Sequence, residues 1–162
     1  MANTCFNELH FTGERENIKQ ANLFLSGLSK DEWGGVKIEG MEGYFQDINF
    51  CNGQFIFGTR WGPDMETLMA VADRFKAGFL LDYAEPMMSL YGQAQYNKGK
   101  LLDVRLSGPD FKEVNYLEKD DVYVYKGRHF RSSETLCRLL LKEKLEIEKS
   151  PEEKKQIKPR IR

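Results

Sequence analysis

The sequence predicts an α+β protein of the ferredoxin-like type, a βαββαβ sandwich with one or more extra strands and a C-terminal β-hairpin plus helix. Three observations carry that expectation. Two aromatic-rich runs, residues 43–51 and 54–60, meet at Asn52-Gly53, a dipeptide suited to a two-residue hairpin because both positions accept positive φ. The second run leads through Trp61-Gly62-Pro63 into Met65, Leu68, Met69, Ala72 and Phe75, which recur with a helical period and form one apolar face. Near the start, Cys5, Asn7, Leu9 and Phe11 alternate with Phe6, Glu8, His10 and Thr12, the period-2 pattern of a strand.

Gly13 closes this first strand, and Ile18, Ala21, Leu25 and Leu28 then mark a helix from Glu14 to Leu28, with Glu14 and Glu16 in its first turn. Residues 29–43 hold four glycines and many charges and read as a loop with a short strand near Val36 to Glu39. In the second helix, spanning residues 63–76, Pro63 suits the first helical position and Asp64 and Glu66 set negative charge against the helix's positive end. Gly78 to Glu85 is the next strand, and Leu90 to Asn97 pairs with Lys100 to Ser107 about Lys98-Gly99. Gly108 to Lys119, with Gly108-Pro109-Asp110, is the best domain boundary. After it, Val122 to Tyr125, the turn Lys126-Gly127 and His129 to Arg131 form a hairpin. Ser132 or Ser133 caps a final helix to Lys149. Leu136, Leu139 and Leu140, with Cys137 and Leu141, give that helix a broad apolar face, which the hairpin, the main domain or another subunit must cover. The predicted division is a ferredoxin-like domain over 1–107, a hairpin-helix module over 120–149 and a disordered basic tail over 150–162.

With 162 residues, 41% of them hydrophobic, the chain can bury one sizeable core plus an appendage. It carries no apolar run of the roughly 18 residues a membrane span needs and no secretory leader pattern, so a cytoplasmic protein without a membrane partner is expected. Cys5, Cys51 and Cys137 are odd in number and scattered, which argues against a disulfide framework or a zinc cluster and for free thiols in or near the core. The net charge of −1 hides an asymmetry: residues 126–162 hold 12 Lys and Arg against 6 Asp and Glu, while residues 1–125 hold 12 against 19. The body should repel polyanions and the C-terminal region attract them.

Three segments also carry a family resemblance. Phe57-Gly58-Thr59-Arg60-Trp61-Gly62-Pro63 resembles the F-x-T-x-W-x-P signature of YubB-type ferredoxin-like domains; Met1 to Leu9 is similar to that family's M-A-N-x-C-x-N-x-L opening, and Tyr83-Ala84-Glu85-Pro86 with Tyr91-Gly92 to its Y-x-E and aromatic-x-G element. The likeness covers residues 1–106; Asp64 stands where the family often has a second proline, and Met87 where a glycine is common. It implies a domain carried on plasmids and phages and brings no activity to transfer.

Trp61, at a strand end before a helix, can wall a pocket or offer a stacking platform, or it can cap the core. Arg60 and Asp64 beside it can bind a charged ligand, although the helix dipole already explains Asp64. Glu85 and Tyr91 join them as ligand or partner candidates. Asp47, Asp82 and Glu85 on neighbouring strands could act as acid and base, against the ordinary reading of a solvated sheet face. Lys126, Arg128, His129, Arg131 and Arg138 form the one basic and aromatic cluster and the best nucleic-acid candidate, against solvated charges on a packed module. The stretch Gln54-Phe55-Ile56-Phe57 lacks the basic-Gly-aromatic opening of the usual RNA-contact motif. No phosphate loop, G-x-G-x-x-G, G-x-S-x-G or H-E-x-x-H is present, so neither a catalytic residue nor a cofactor or metal is expected. The favoured reading is a non-enzymatic protein-interaction module, binding a protein partner or self-associating through the C-terminal helix; the alternative is nucleic-acid binding by the basic hairpin-helix.

Overall fold

The computed structural model describes residues 3–156, with side chains described as far as residue 148. The chain divides into two compact units, Met1–Asp103 and Val104–Arg162. The first holds β1 (Thr4–Thr12), α1 (Arg15–Ser26), β2 (Val36–Lys37), β3 (Tyr44–Cys51), β4 (Gln54–Arg60), α2 (Met65–Arg74), β5 (Gly78–Glu85) and β6 (Leu90–Asn97). The next strand, β7 (Lys100–Arg105), carries the chain over the boundary, and the second unit adds β8 (Asn115–Leu117), β9 (Val122–Tyr125), β10 (Arg128–Phe130) and α3 (Ser133–Gln156).

The large sheet runs β2-β3-β4-β1-β5-β6-β7. Its middle, β3-β4-β1-β5, is antiparallel throughout, and each helical crossover skips one strand: β1 reaches β3 through α1 past β4, and β4 reaches β5 through α2 past β1. That is the ferredoxin-like α+β fold. Period 2 sorts the side chains. Cys5, Leu9, Phe11, Phe55, Phe57, Phe79 and Leu81 turn to the helical side and are buried with Ala21, Leu25, Leu68, Val71 and Ala72. Each buried Leu or Phe contributes about 1.5–3 kcal/mol relative to exposure. The helices meet where Phe24 and Phe75 stack at 5.2 Å, with the Arg74 guanidinium 4.6 Å above Phe24. On the other side of the sheet Phe6 and Ile56 stay largely exposed.

At one edge β2 is only two residues long. Beside it β3 bulges between Gln46 and Asn49, where Asp47 takes φ +47°. An extra residue there loosens the ladder and bends the strand.

Four expectations need correction. The second helix begins at Met65, not Pro63: Asp64 is the N-cap, its carboxylate accepting from the Thr67 N–H at 3.1 Å, and Pro63 stands before it. A cap carboxylate satisfies an orphan amide, which a proline at the first helical position cannot do. β8 falls inside the predicted boundary; its residues are all exposed and so carry no burial pattern, and Tyr116 packs on Tyr123 of β9 at 4.9 Å. Cys51 is exposed, while Cys5 and Cys137 are buried as expected. The last helix runs on through Gln156; the remainder of the predicted disordered tail lies outside the described residues.

In the second unit α3 packs against β10, and Leu136, Cys137 and Leu140 are buried along with Val122, Tyr125 and Phe130. Leu136 and Leu140 of the apolar stripe are therefore covered within one chain. Lys144 ties α3 to the preceding turn, donating to the Arg105 carbonyl at 2.8 Å and to Asp110 at 2.7 Å.

Tyr44, Tyr96, Tyr116 and Tyr125 each donate to a carboxylate, on Asp31, Asp73, Asp121 and Glu143, at 2.7–2.8 Å. Those bonds hold all four phenols above their ordinary value, since a tyrosinate would face the anion it now serves as donor. A folded-state pKa raised above the unfolded one gives stability that is full below about pH 10 and is lost as pH rises through the folded value. The melting temperature should fall above pH 10, and less so in Tyr96→Phe. A flat profile, or tyrosinate absorbance emerging at the ordinary pKa for every tyrosine, would show that these bonds do not bias ionisation.

Candidate functional site

Residues that the sequence scatters over β1, β4 and β5 converge at one end of the first unit's sheet. The register sets Cys5 opposite Thr59 and Asn7 opposite both Phe57 and Tyr83. Asn7 and Thr59 are buried, and Asn7 Nδ2 donates to Thr59 Oγ1 at 2.9 Å and to the Cys5 carbonyl at 2.9 Å. The Thr59 hydroxyl in turn donates to the Gly62 carbonyl at 2.7 Å. This chain of bonds holds the turn in which Trp61 takes φ +67°, fixed further by its own N–H bonding to the Asn3 carbonyl at 2.9 Å. A non-glycine residue in that region costs about 1–2 kcal/mol. Trp61 is 57% exposed; it does not cap the core.

On β5, Glu85 is 1% exposed and lies on the inner side, not on a solvated face. Its carboxylate accepts the Met87 N–H at 3.1 Å and the Met88 N–H, capping the short turn Pro86–Met88 and leaving both methionines largely exposed. Asp82, at the opposite parity, accepts from Gln93 Nε2 at 2.7 Å. Asp82 and Glu85 therefore face opposite sides of the sheet and cannot share a substrate. Burial pushes the nearby Cys5 thiol up to about 11, with the Glu85 charge adding to the rise. Tyr83 lies across Gly92 on β6, where any Cβ would strike its ring, and donates to Asp103 at 2.6 Å. Tyr91 is buried.

Past the end of β4 the surface opens into a cleft of about 880 Å³, lined among others by Asp31, Trp33, Glu42, Tyr44, Asp47, Arg60 and Asp64. Asp31 builds one wall. Its Oδ1 accepts the N–H groups of Trp33 and Gly35, both at 2.9 Å, and its Oδ2 accepts the Tyr44 hydroxyl at 2.8 Å. The Tyr44 bond chiefly, with the two amides behind it, holds this carboxyl below the usual range. Gly43 also lines the cleft and packs against the cap of α2, where a Cβ would overlap the Asp64 carboxylate and Thr67. Four carboxylates thus line the cleft against one cation, Arg60.

Of the predicted candidates, Asp47, Arg60 and Asp64 line the cleft, Trp61 is exposed on the turn beside it, and Glu85 and Tyr91 are buried elsewhere. Asp31, Trp33 and Glu42 escape the sequence reading because residues 29–43 read as a connecting loop, and Tyr44 because it reads as an ordinary strand residue of the run 43–51. The Asp31-x-Trp33-x-Gly35 spacing, an Asx-type turn, was the available signal. In the second unit, Lys126 pairs with Glu143 at 3.0 Å and Arg138 with Glu134 at 2.8 Å. The bonds to Tyr125 and then Glu143 raise Lys126 above its ordinary value. Arg128, His129 and Arg131 are exposed, with the Arg128 guanidinium 5.4 Å from the Phe130 ring. Among the described residues no group of three or more His, Cys, Asp or Glu could hold a metal ion.

A family described as a ferredoxin-like domain in Api92-like protein matches residues 40–126, more than half of the chain. No curated protein and no solved structure matches it.

Gly43→Ala and Asp64→Ala should each destabilise the protein by about 1 kcal/mol, the worth of a helix cap. Because both act on one cap, the double variant should cost little more than either alone. Denaturant unfolding of the three variants checks this; fully additive losses would mean that Gly43 does not act through Asp64.

Proposed function

The chain belongs to the family of ferredoxin-like domains in Api92-like proteins, and from that premise we propose that it is a non-enzymatic protein-interaction module. The observation that carries the reading is Trp61, 57% exposed on a turn fixed by the Asn7–Thr59–Gly62 bonds, beside an open cleft. A large aromatic held rigid in solvent costs stability and loses little further entropy on binding, the property of an interface anchor. Met87 and Met88, 83% and 63% exposed on the turn capped by Glu85, supply adaptable apolar surface of the kind partner sites use.

The nucleic-acid alternative is less supported, since Lys126 and Arg138 are already neutralised by Glu143 and Glu134. The finer kinship to YubB-type domains rests on Phe57 to Pro63, the opening residues and the segment Tyr83 to Gly92, and with it a place on a plasmid or phage. Both belong to this proposal.

Trp61→Ala should leave the melting temperature unchanged or slightly higher, because it removes an exposed side chain from a strained position. It should abolish cross-linking of the protein to its partner in cells of its host. Cross-links that survive in Trp61→Ala with the same partner, or a clear loss of stability, would refute this role.

A further inference from the structure

The interaction reading names no partner chemistry, but the cleft of the first unit does. We infer that it receives the guanidinium group of an arginine from a basic segment of the partner, an assignment that rests on the interaction-module reading and deepens it.

Charge comes first. Asp31, Glu42, Asp47 and Asp64 line the cleft against Arg60 alone. Asp31 is spent on Trp33, Gly35 and Tyr44, and Asp64 caps α2. Glu42 and Asp47 are exposed, and neither side chain bonds to another described residue. They are left to serve a cation. An anionic ligand, a nucleic acid included, meets the wrong sign.

Aromatic surface comes second. Trp33 lines the cleft while 77% exposed, and its backbone is pinned through the Asp31 carboxylate. Tyr44 stands on the facing strand with its hydroxyl tied to the same carboxylate, its ring close over Gly35. A guanidinium stacks on an aromatic face and keeps its N–H groups in plane to reach carboxylates, which a compact ammonium cannot do as well. Cavity, uncommitted acids and an exposed indole coincide in one place, and arginine uses all three. Arg60 opposes the incoming charge and so limits how many cations the cleft accepts.

The test uses the full chain, with Trp33→Phe as the control that separates the fluorescence of Trp33 from that of Trp61. Titration with a short peptide of alternating arginine and serine should change Trp33 fluorescence saturably and more tightly than the lysine counterpart, while the glutamate counterpart has no effect. Binding should weaken with added salt. Glu42→Gln with Asp47→Asn should weaken it about fivefold, and Arg60→Gln should tighten it. No saturable change, equal affinity for the lysine peptide, or indifference to these substitutions overturns the assignment. If the peptide fails while Trp61-dependent cross-linking persists, the cleft assignment alone falls; if both fail, the module reading falls with it.

Discussion

A short hydrogen-bond chain, from the Asn7 amide through the Thr59 hydroxyl to the Gly62 carbonyl, links the centre of the sheet to the rim where β4 ends. Asn7 sits on β1, the strand between β4 and β5, at a position whose side chain has no access to water. A polar group there is a liability of about 1–3 kcal/mol when left unsatisfied. Its Nδ2 is well used, while its Oδ1 finds no partner among the described residues. The arrangement is tolerated because it locks β4's exit. From that exit follow the left-handed turn at Trp61, the position of Pro63 and the cap that starts α2.

The same rim shows how charge is divided over the chain. In the second unit several cations are met at home, with Lys126 on Glu143, Arg138 on Glu134 and Lys144 on Asp110. Glu134 and Glu143 are already counted against the basic surplus of residues 126–162, so these pairs place that charge without changing its sum. In the first unit the reverse holds: carboxylates gather at one cleft where a single arginine opposes them.

The fold was legible because its signals are local. Alternation along β1, the Asn52-Gly53 turn and the 3.6-residue spacing of α2 each follow from backbone geometry that a few neighbouring residues determine. Elements with no buried face, such as β8, give no such pattern. The site was only partly legible. Arg60 and Asp64 could be placed from the strand-to-helix junction, but the wall opposite them comes from a loop whose order depends on one carboxylate, Asp31, gathering two amides and a hydroxyl. Charge misleads in the case of Glu85: a carboxylate on a strand reads as facing solvent, whereas its place in the alternation, alongside Leu81 and Tyr83, puts it inside. The turn after it supplies the two N–H groups that make burial tolerable.

The bulged β3 and the two-residue β2 beside it have a further consequence. A long straight outer strand offers a row of free peptide groups on which another molecule can template, the first step toward ordered aggregates. Here the margin of the sheet is covered for only two residues and then bent out of line at Asp47, which adds a charge at the same spot. The irregularity that shapes one side of the cleft thus also interrupts the growth of the sheet into fibrils.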